Sequence, residues 1–324
     1  MSNTLPGTFF LAPMAELTTP ALRQVVKGFS PGVVLCSEML SAGAVAADNG
    51  FNRHMQHRYH FDEPYVYQLM GSDADTMGTA CARLSRTGCR AIDINMGCSA
   101  PDIVKTGSGA ALLKEIDHTR NVVRQCRSNT TCLLSVKMRS GYHSSDLEYI
   151  ISFARMLEEE GVDYITMHPR HAKLSFKRKA DWAVTRELAN TLHIPVIGNG
   201  DIVSAEQAVQ HLHNSSCNAV MIGRTAVSMP WIFHSCEKIL SGDRSSTIIN
   251  IHQVWNRVLS DIRSFLPVHL HKSRGHRFSF YYSKNVTFAH QLFTHIRNVD
   301  NIPGMMEIID DYFQRNPREA WKEI

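Results

Sequence analysis

Six side chains able to do chemistry share a position in this chain: each stands at or just past the end of a short apolar run. The thiol of Cys98 follows AIDINMG, and the amine of Lys137 and the guanidinium of Arg139 close LLSVKMR. The imidazole of His168 ends YITMH with Arg170 two residues on, and Arg224 follows AVMIG. Gln68, Asn95 and the Asn199-Gly200-Asp201 triplet occupy equivalent places. Each has a bland reading alone, since a strand-end amide is often a turn former and a single cysteine is often inert core. Their convergence on successive run ends argues for a site.

Two of these ends point to a phosphate. GNGDI (198–202) and IGR (222–224) place small residues where backbone N–H groups can approach an anion, and Arg224 adds a charge. Lys137 and His168 would then face the same pocket as a cation and a hydrogen-bond donor. That pair suits a ligand that gains negative charge, such as a reduced flavin, with Gln68 on its pyrimidine rim. The competing reading of Lys137 is an ion pair with Glu38 or Asp201.

The elements that must position these groups are eight short runs, at 8–15, 33–39, 65–71, 91–97, 133–139, 164–169, 195–201 and 219–224. Most are continuously apolar, as in parallel strands covered on both faces. Helical patterns lie between them, among them 73–88 behind Ser72 or Asp73, 146–161 and 204–212. Eight β-then-α units predict an α/β fold, a (β/α)8 TIM barrel, whose active site lies at the strand C-termini. An open doubly wound sheet is the alternative, but its glycine fingerprint is missing after the first run, which ends in Pro13-Met14. Beyond about residue 248 the pattern becomes purely helical, at 251–266, 285–298 and 305–313, with a last short turn at 318–323. This predicts a barrel domain over 1–243 and a small C-terminal all-helical domain over 244–324.

The 324 residues are 44% hydrophobic and 20% charged, ample for a buried core, and the net charge of +4 permits a nucleic-acid partner without requiring one. Eight cysteines without a CxxC pair predict free thiols. No basic-then-apolar leader opens the chain and no apolar run reaches the roughly 20 residues of a membrane span. The expectation is a cytoplasmic protein with no membrane attachment, no metal site and no obligate protein partner.

In order, APMA, SEM, Gln68, DINMGC, KMRSG, His168-x-Arg170, KADW, IPVIGNGDI and MIGR resemble the dihydrouridine synthases, flavin enzymes that reduce uridine in RNA. The resemblance runs from Ala12 to about Phe233, continues weakly through Arg277 and Lys284-Asn285, and is nearest the bacterial branch. It implies FMN held by Pro13, Met14 and Ala15 through backbone atoms and by Gln68, Lys137 and His168 at the isoalloxazine. Asn199, Gly200, Asp201, Gly223 and Arg224 would hold the ribityl phosphate. It further implies NADPH as reductant, Cys98 as general acid, and Asn95 and Arg139 around the uracil.

A thiol suits that acid role. With an ordinary pKa of about 8.5 a thiol is mostly protonated near neutrality, yet acidic enough to protonate C5 after hydride reaches C6. A nucleophilic cysteine needs the reverse, and no His-x-Cys arrangement accompanies Cys98.

A base stacked in folded RNA, most often tRNA in this family, must be everted into the pocket, which calls for a basic rim. Two clusters qualify: Arg170-His171-Ala172-Lys173 with Lys177-Arg178-Lys179, and 269–277 (HLHKSRGHR) with Arg277 and, beyond it, Lys284. Phe278, Phe280, Tyr281 and Tyr282 follow the second and would stack on bases or fill a helical core. The chain departs from the family at Ser99, where proline is usual, at Asp102, and at Pro169-Arg170-His171, Leu174, Phe176 and Arg178. These lie around the thiol loop and the substrate side, away from the flavin positions. Rival readings are a flavin barrel reducing a small pyrimidine-like molecule, and a flavin-containing RNA binder without turnover. Ribosomal RNA is the alternative target.

Overall fold

The computed structural model describes residues 5–50, 53–173 and 179–324. Eight strands form one parallel sheet: β1 (Phe9–Leu11), β2 (Leu35–Ser41), β3 (Tyr65–Met70), β4 (Ala91–Met96), β5 (Leu133–Arg139), β6 (Tyr164–His168), β7 (Val196–Asn199) and β8 (Ala219–Ile222). The spatial order is β1-β8-β7-β6-β5-β4-β3-β2. The circle closes where Phe10 bridges Val34, with Leu11 N–H donating to Val34 O at 2.9 Å. This is the (β/α)8 barrel that the eight runs predict. The strands are shorter than several of those runs because the glycine, proline and polar residues at their ends belong to the loops.

Side-chain parity builds the interior. Successive strand residues point to opposite faces, so one set of alternate positions meets the surrounding helices and the other fills the barrel. Phe10, Val34, Cys36, Val66, Ala91, Tyr164, Ile197 and Ala219 form a separate apolar cluster inside. The same parity carried toward the strand C-termini reads Gln68 on β3, Asp93 and Asn95 on β4, and Ser135, Lys137 and Arg139 on β5. It continues with Thr166 and His168 on β6 and Asn199 on β7. The barrel interior is apolar below and polar above.

Local capping starts the helices where the sequence indicates. Asp73 and Ser204 accept from the third backbone N–H beyond them, opening helices Ala74–Ser85 and Ala205–Asn214. Pro101 stands in the first turn of the short helix Pro101–Lys105 behind the thiol, so the proline displaced from position 99 starts that helix.

The C-terminal region consists of helices Ile251–Phe265, Val268–Tyr282, Ala289–Arg297 and Ile302–Arg315, with one addition to the all-helical expectation. β9 (Ile248–Asn250) and β10 (Trp321–Glu323) form a two-stranded antiparallel ribbon, so the turn predicted at 318–323 is half turn and half strand. The pairing joins residues about seventy positions apart, which local periodicity does not register. Among the described residues no helix is long and apolar enough to cross a membrane.

Candidate active site

A cavity of about 800 Å³ opens at the C-terminal ends of the strands. Its wall carries Pro13, Met14 and Ala15 after β1, Asn95 and Cys98 at β4, Lys137 and Arg139 at β5, and His168 at β6. Asn199, Gly200 and Asp201 after β7 and Gly223 and Arg224 after β8 complete it, and its mouth is rimmed by Phe280, Tyr281 and Lys284 from the C-terminal region.

The electrostatics follow from burial. Lys137 Nζ donates to Asn199 Oδ1 at 3.0 Å rather than to Glu38 or Asp201. Loss of water around the ammonium draws its pKa down to about 8, against the opposing pull of Asp93. His168 is pushed down to about 2 by burial first and then by the cations Lys137, Arg139, Arg170 and Arg224, so its imidazole is neutral near neutrality. Its Nε2 is enclosed and has no hydrogen-bond partner among the described residues. A buried orphan of this kind costs about 1–3 kcal/mol, which a bound polar ligand would recover.

Beside it, Gly200 adopts φ +128°, and a Cβ there would sit 2.8 Å from His168 Cδ2. Only glycine keeps that passage open. An imidazole nitrogen without a partner among the described residues, a half-buried ammonium and a backbone cleared of side chains fit a flat, acceptor-rich anionic cofactor such as FMN.

The thiol loop is held from both sides. Asn95 Oδ1 accepts from the N–H groups of Gly97 at 3.1 Å and Cys98 at 2.9 Å, an Asx turn at the strand end. Cys98 O accepts from Ala110 N at 2.8 Å. Arg139 Nε donates to Gly97 O at 2.7 Å, locking the same loop to β5.

Residues 10–310 match the family "Dihydrouridine synthase (Dus)". The chain belongs to the dihydrouridine synthase family. It is 28% identical over 262 residues to tRNA-dihydrouridine synthase B of Pasteurella multocida, covering 81% of this chain and 78% of that one. Identity to tRNA-dihydrouridine synthase B of Yersinia pestis is 32% over 238 residues, 73% of each chain. Among solved structures, histamine dehydrogenase from Rhizobium sp. 4-9 superposes with a TM-score of 0.55 at 11% identity, over 78% of this chain and 48% of that one, a likeness of fold.

Two residues expected in the dihydrouridine synthase pocket stand behind its wall. Gln68 is fully buried and absent from the lining; it donates to Asp93 Oδ2 at 2.7 Å and accepts from Asn95 Nδ2 at 2.8 Å. Arg170, expected on the substrate side, is 3% exposed and pairs with Asp201, whose same oxygen accepts from Ala180 N at 2.8 Å. Arg224 lies 3.7 Å from the other Asp201 oxygen, so this carboxylate aligns two guanidinium groups. Lys177 and Arg178, with Leu174 and Phe176, lie outside the described residues.

On the Val268–Tyr282 helix three basic residues are held in ion pairs, and of these only Arg274 is largely covered. Arg277 and Arg274 both bond Glu16, at 2.7 and 3.1 Å, and Lys272 bonds Asp300. The four aromatics split: Phe278 and Tyr282 are core, whereas Phe280 is 48% exposed at the mouth. Lys284 Nζ lies 5.7 and 5.4 Å from the ring centres of Phe280 and Tyr281, a cationic and aromatic rim. Met39 was not anticipated; it lines the cavity with its sulfur 3.2 Å from Asn95 Nδ2. The shifted register of β2 after Cys36 brings it there, and no local pattern marks that bulge.

Proposed function

We propose that this protein reduces uridine to 5,6-dihydrouridine in tRNA, using FMN and NADPH. The observation that carries the reading is Cys98 on the wall of one cavity with half-buried Lys137 and His168, whose Nε2 has no hydrogen-bond partner among the described residues. Bound FMN supplies the hydride chemistry. Lys137 and His168 would hold its ring edge, the backbone of Pro13, Met14 and Ala15 would support the ring, and Asn199, Gly200, Gly223 and Arg224 would hold the phosphate, with Asp201 aligning Arg224. Arg139 faces the base. Adding hydride at C6 leaves a negative charge shared between C5 and the neighbouring carbonyl, and the Cys98 S–H protonates C5, so hydride and proton together saturate the double bond.

Residues 1–243 would form the catalytic unit and residues 244–324 the RNA-binding one, with Phe280, Tyr281 and Lys284 gripping an everted nucleotide. That rim favours a polymer over a free pyrimidine, which needs no second unit. A tRNA substrate places the work in the cytoplasm.

The test is anaerobic reoxidation of the NADPH-reduced flavoprotein. Uridine-containing tRNA is expected to accelerate it, with dihydrouridine appearing in the RNA. Equal rates with RNA lacking uridine would sink the reading.

A further inference from the structure

A buried chain of hydrogen bonds runs beneath the thiol loop. Ser135 Oγ donates to Asp93 Oδ1 at 2.7 Å, and Gln68 Nε2 donates to Asp93 Oδ2 at 2.7 Å. Gln68 Oε1 accepts from Asn95 Nδ2 at 2.8 Å, and Asn95 Oδ1 accepts from the amides of Gly97 and Cys98. Ser135 and Gln68 are fully buried, and Asp93 and Asn95 are 5% and 6% exposed. Water cannot repair a mismatched pair in such an enclosure.

We infer that Asp93 is a positioning residue for Cys98, setting the hydrogen-bond polarity of the relay Asp93–Gln68–Asn95 that ends on the Cys98 amide. A side-chain amide can face a neighbour with oxygen or with nitrogen; an ionised carboxylate can only accept. Asp93 therefore turns the Gln68 nitrogen toward itself and leaves the Gln68 oxygen facing Asn95. Asn95 must answer with its nitrogen, which leaves its oxygen for the two backbone N–H groups. Reversing the Asn95 amide sets donor against donor at Gly97 and Cys98, and reversing the Gln68 amide sets oxygen against oxygen at Asp93 and nitrogen against nitrogen at Asn95.

The other side of the loop has little freedom. A Cβ at Gly109 would come within 2.6 Å of Cys98 O, so the carbonyl side is packed and the amide side is the one the relay controls. Both ends of the Asn95 side chain are thereby occupied within the protein, although it lines the cavity.

The kinetic consequence of the relay rests on the uridine-reduction reading; its structural consequence does not. Two measurements separate them. The first is the rate at which iodoacetamide labels Cys98 in the FMN-loaded protein, followed by peptide mass spectrometry. The second is single-turnover reoxidation of the NADPH-reduced flavin by uridine-containing RNA.

Asp93→Leu and, as a second cut in the same relay should that variant fail to fold, Gln68→Leu are expected to speed labelling and to slow reoxidation about tenfold. Asp93→Asn should remain within about twofold of the native protein, because its oxygen still accepts from Gln68 while its nitrogen can donate to Ser135. Asn95→Ala should match Asp93→Leu, and the double variant should be no worse than Asn95→Ala alone. Unchanged labelling in folded Asp93→Leu or Gln68→Leu, or losses that multiply in the double variant, would overturn the relay. Failure of uridine RNA to reoxidise the native flavin would overturn the reaction instead, and the labelling rates would still decide the relay.

Discussion

The barrel interior and the Val268–Tyr282 helix both carry charged residues beside one cavity, yet they use them differently. Inside the barrel, Lys137 and His168 line the cavity, and loss of water around them displaces their pKa values. On the helix, Arg274, Arg277 and Lys272 are absorbed in ion pairs with Glu16 and Asp300. Strand parity commits a side chain to one of two faces, so a residue at a strand end is placed almost by its number. A helical residue has a choice of directions set by how the helix packs. A basic run there indicates charge without saying where it points.

The contrast can be tested from its strongest side downward. Cys98→Ala should leave FMN bound and slow RNA-dependent flavin reoxidation by about 10²–10⁴, the usual worth of a general acid; undiminished turnover would remove the thiol from the reaction. Lys137→Met should slow the same step by about 10² or more and weaken flavin binding. In the native protein the Lys137 charge is lost as pH rises through about 8, so activity should fall on that limb. A pH profile of Lys137→Met that retains the limb would assign it elsewhere.

Asp201→Ala leaves the buried Arg170 without its carboxylate and should destabilise the fold by about 3 kcal/mol, read by denaturant unfolding. A change under about 1 kcal/mol would mean that the pair is as weak as a surface one.

On the helix side, Lys284→Ala should weaken RNA binding and lower the slope of log affinity against log salt by about one. Arg277→Ala should change that slope less, because its guanidinium is half-exposed and already bonded to Glu16. Equal slopes for the two variants would erase the distinction drawn between the regions. A further effect concerns acid stability. As pH falls below 6.5 the unfolded chain gains a proton at His168 that the folded chain refuses until about pH 2, so stability falls with pH. His168→Asn should flatten that dependence, and thermal melts across the range would register it.

Much of the site was legible because parallel strands translate spacing into direction. Asn95, Lys137, Arg139, His168 and Asn199 all lie on the inward parity and all reach the cavity. Gln68 shares that parity but sits one layer lower, enclosed by Asp93 and Asn95, and depth along a strand depends on the stagger of its neighbours. Arg170 lies past the end of β6, where a loop turns it back toward Asp201. Asp93 stood in plain view within DINMGC, yet its importance emerges only when Gln68 is seen to face it.

From the chain alone came the eight βα units, the polar strand ends, the helical tail and the glycines that clear the cavity. These are written in local periodicity and in backbone conformations that only certain residues tolerate. Tertiary structure alone decided that Glu16 takes the helix arginines, that β10 returns to pair with β9, and which two of four aromatics reach the mouth. Those outcomes depend on contacts between distant segments competing for the same partners, and no stretch of sequence contains both competitors.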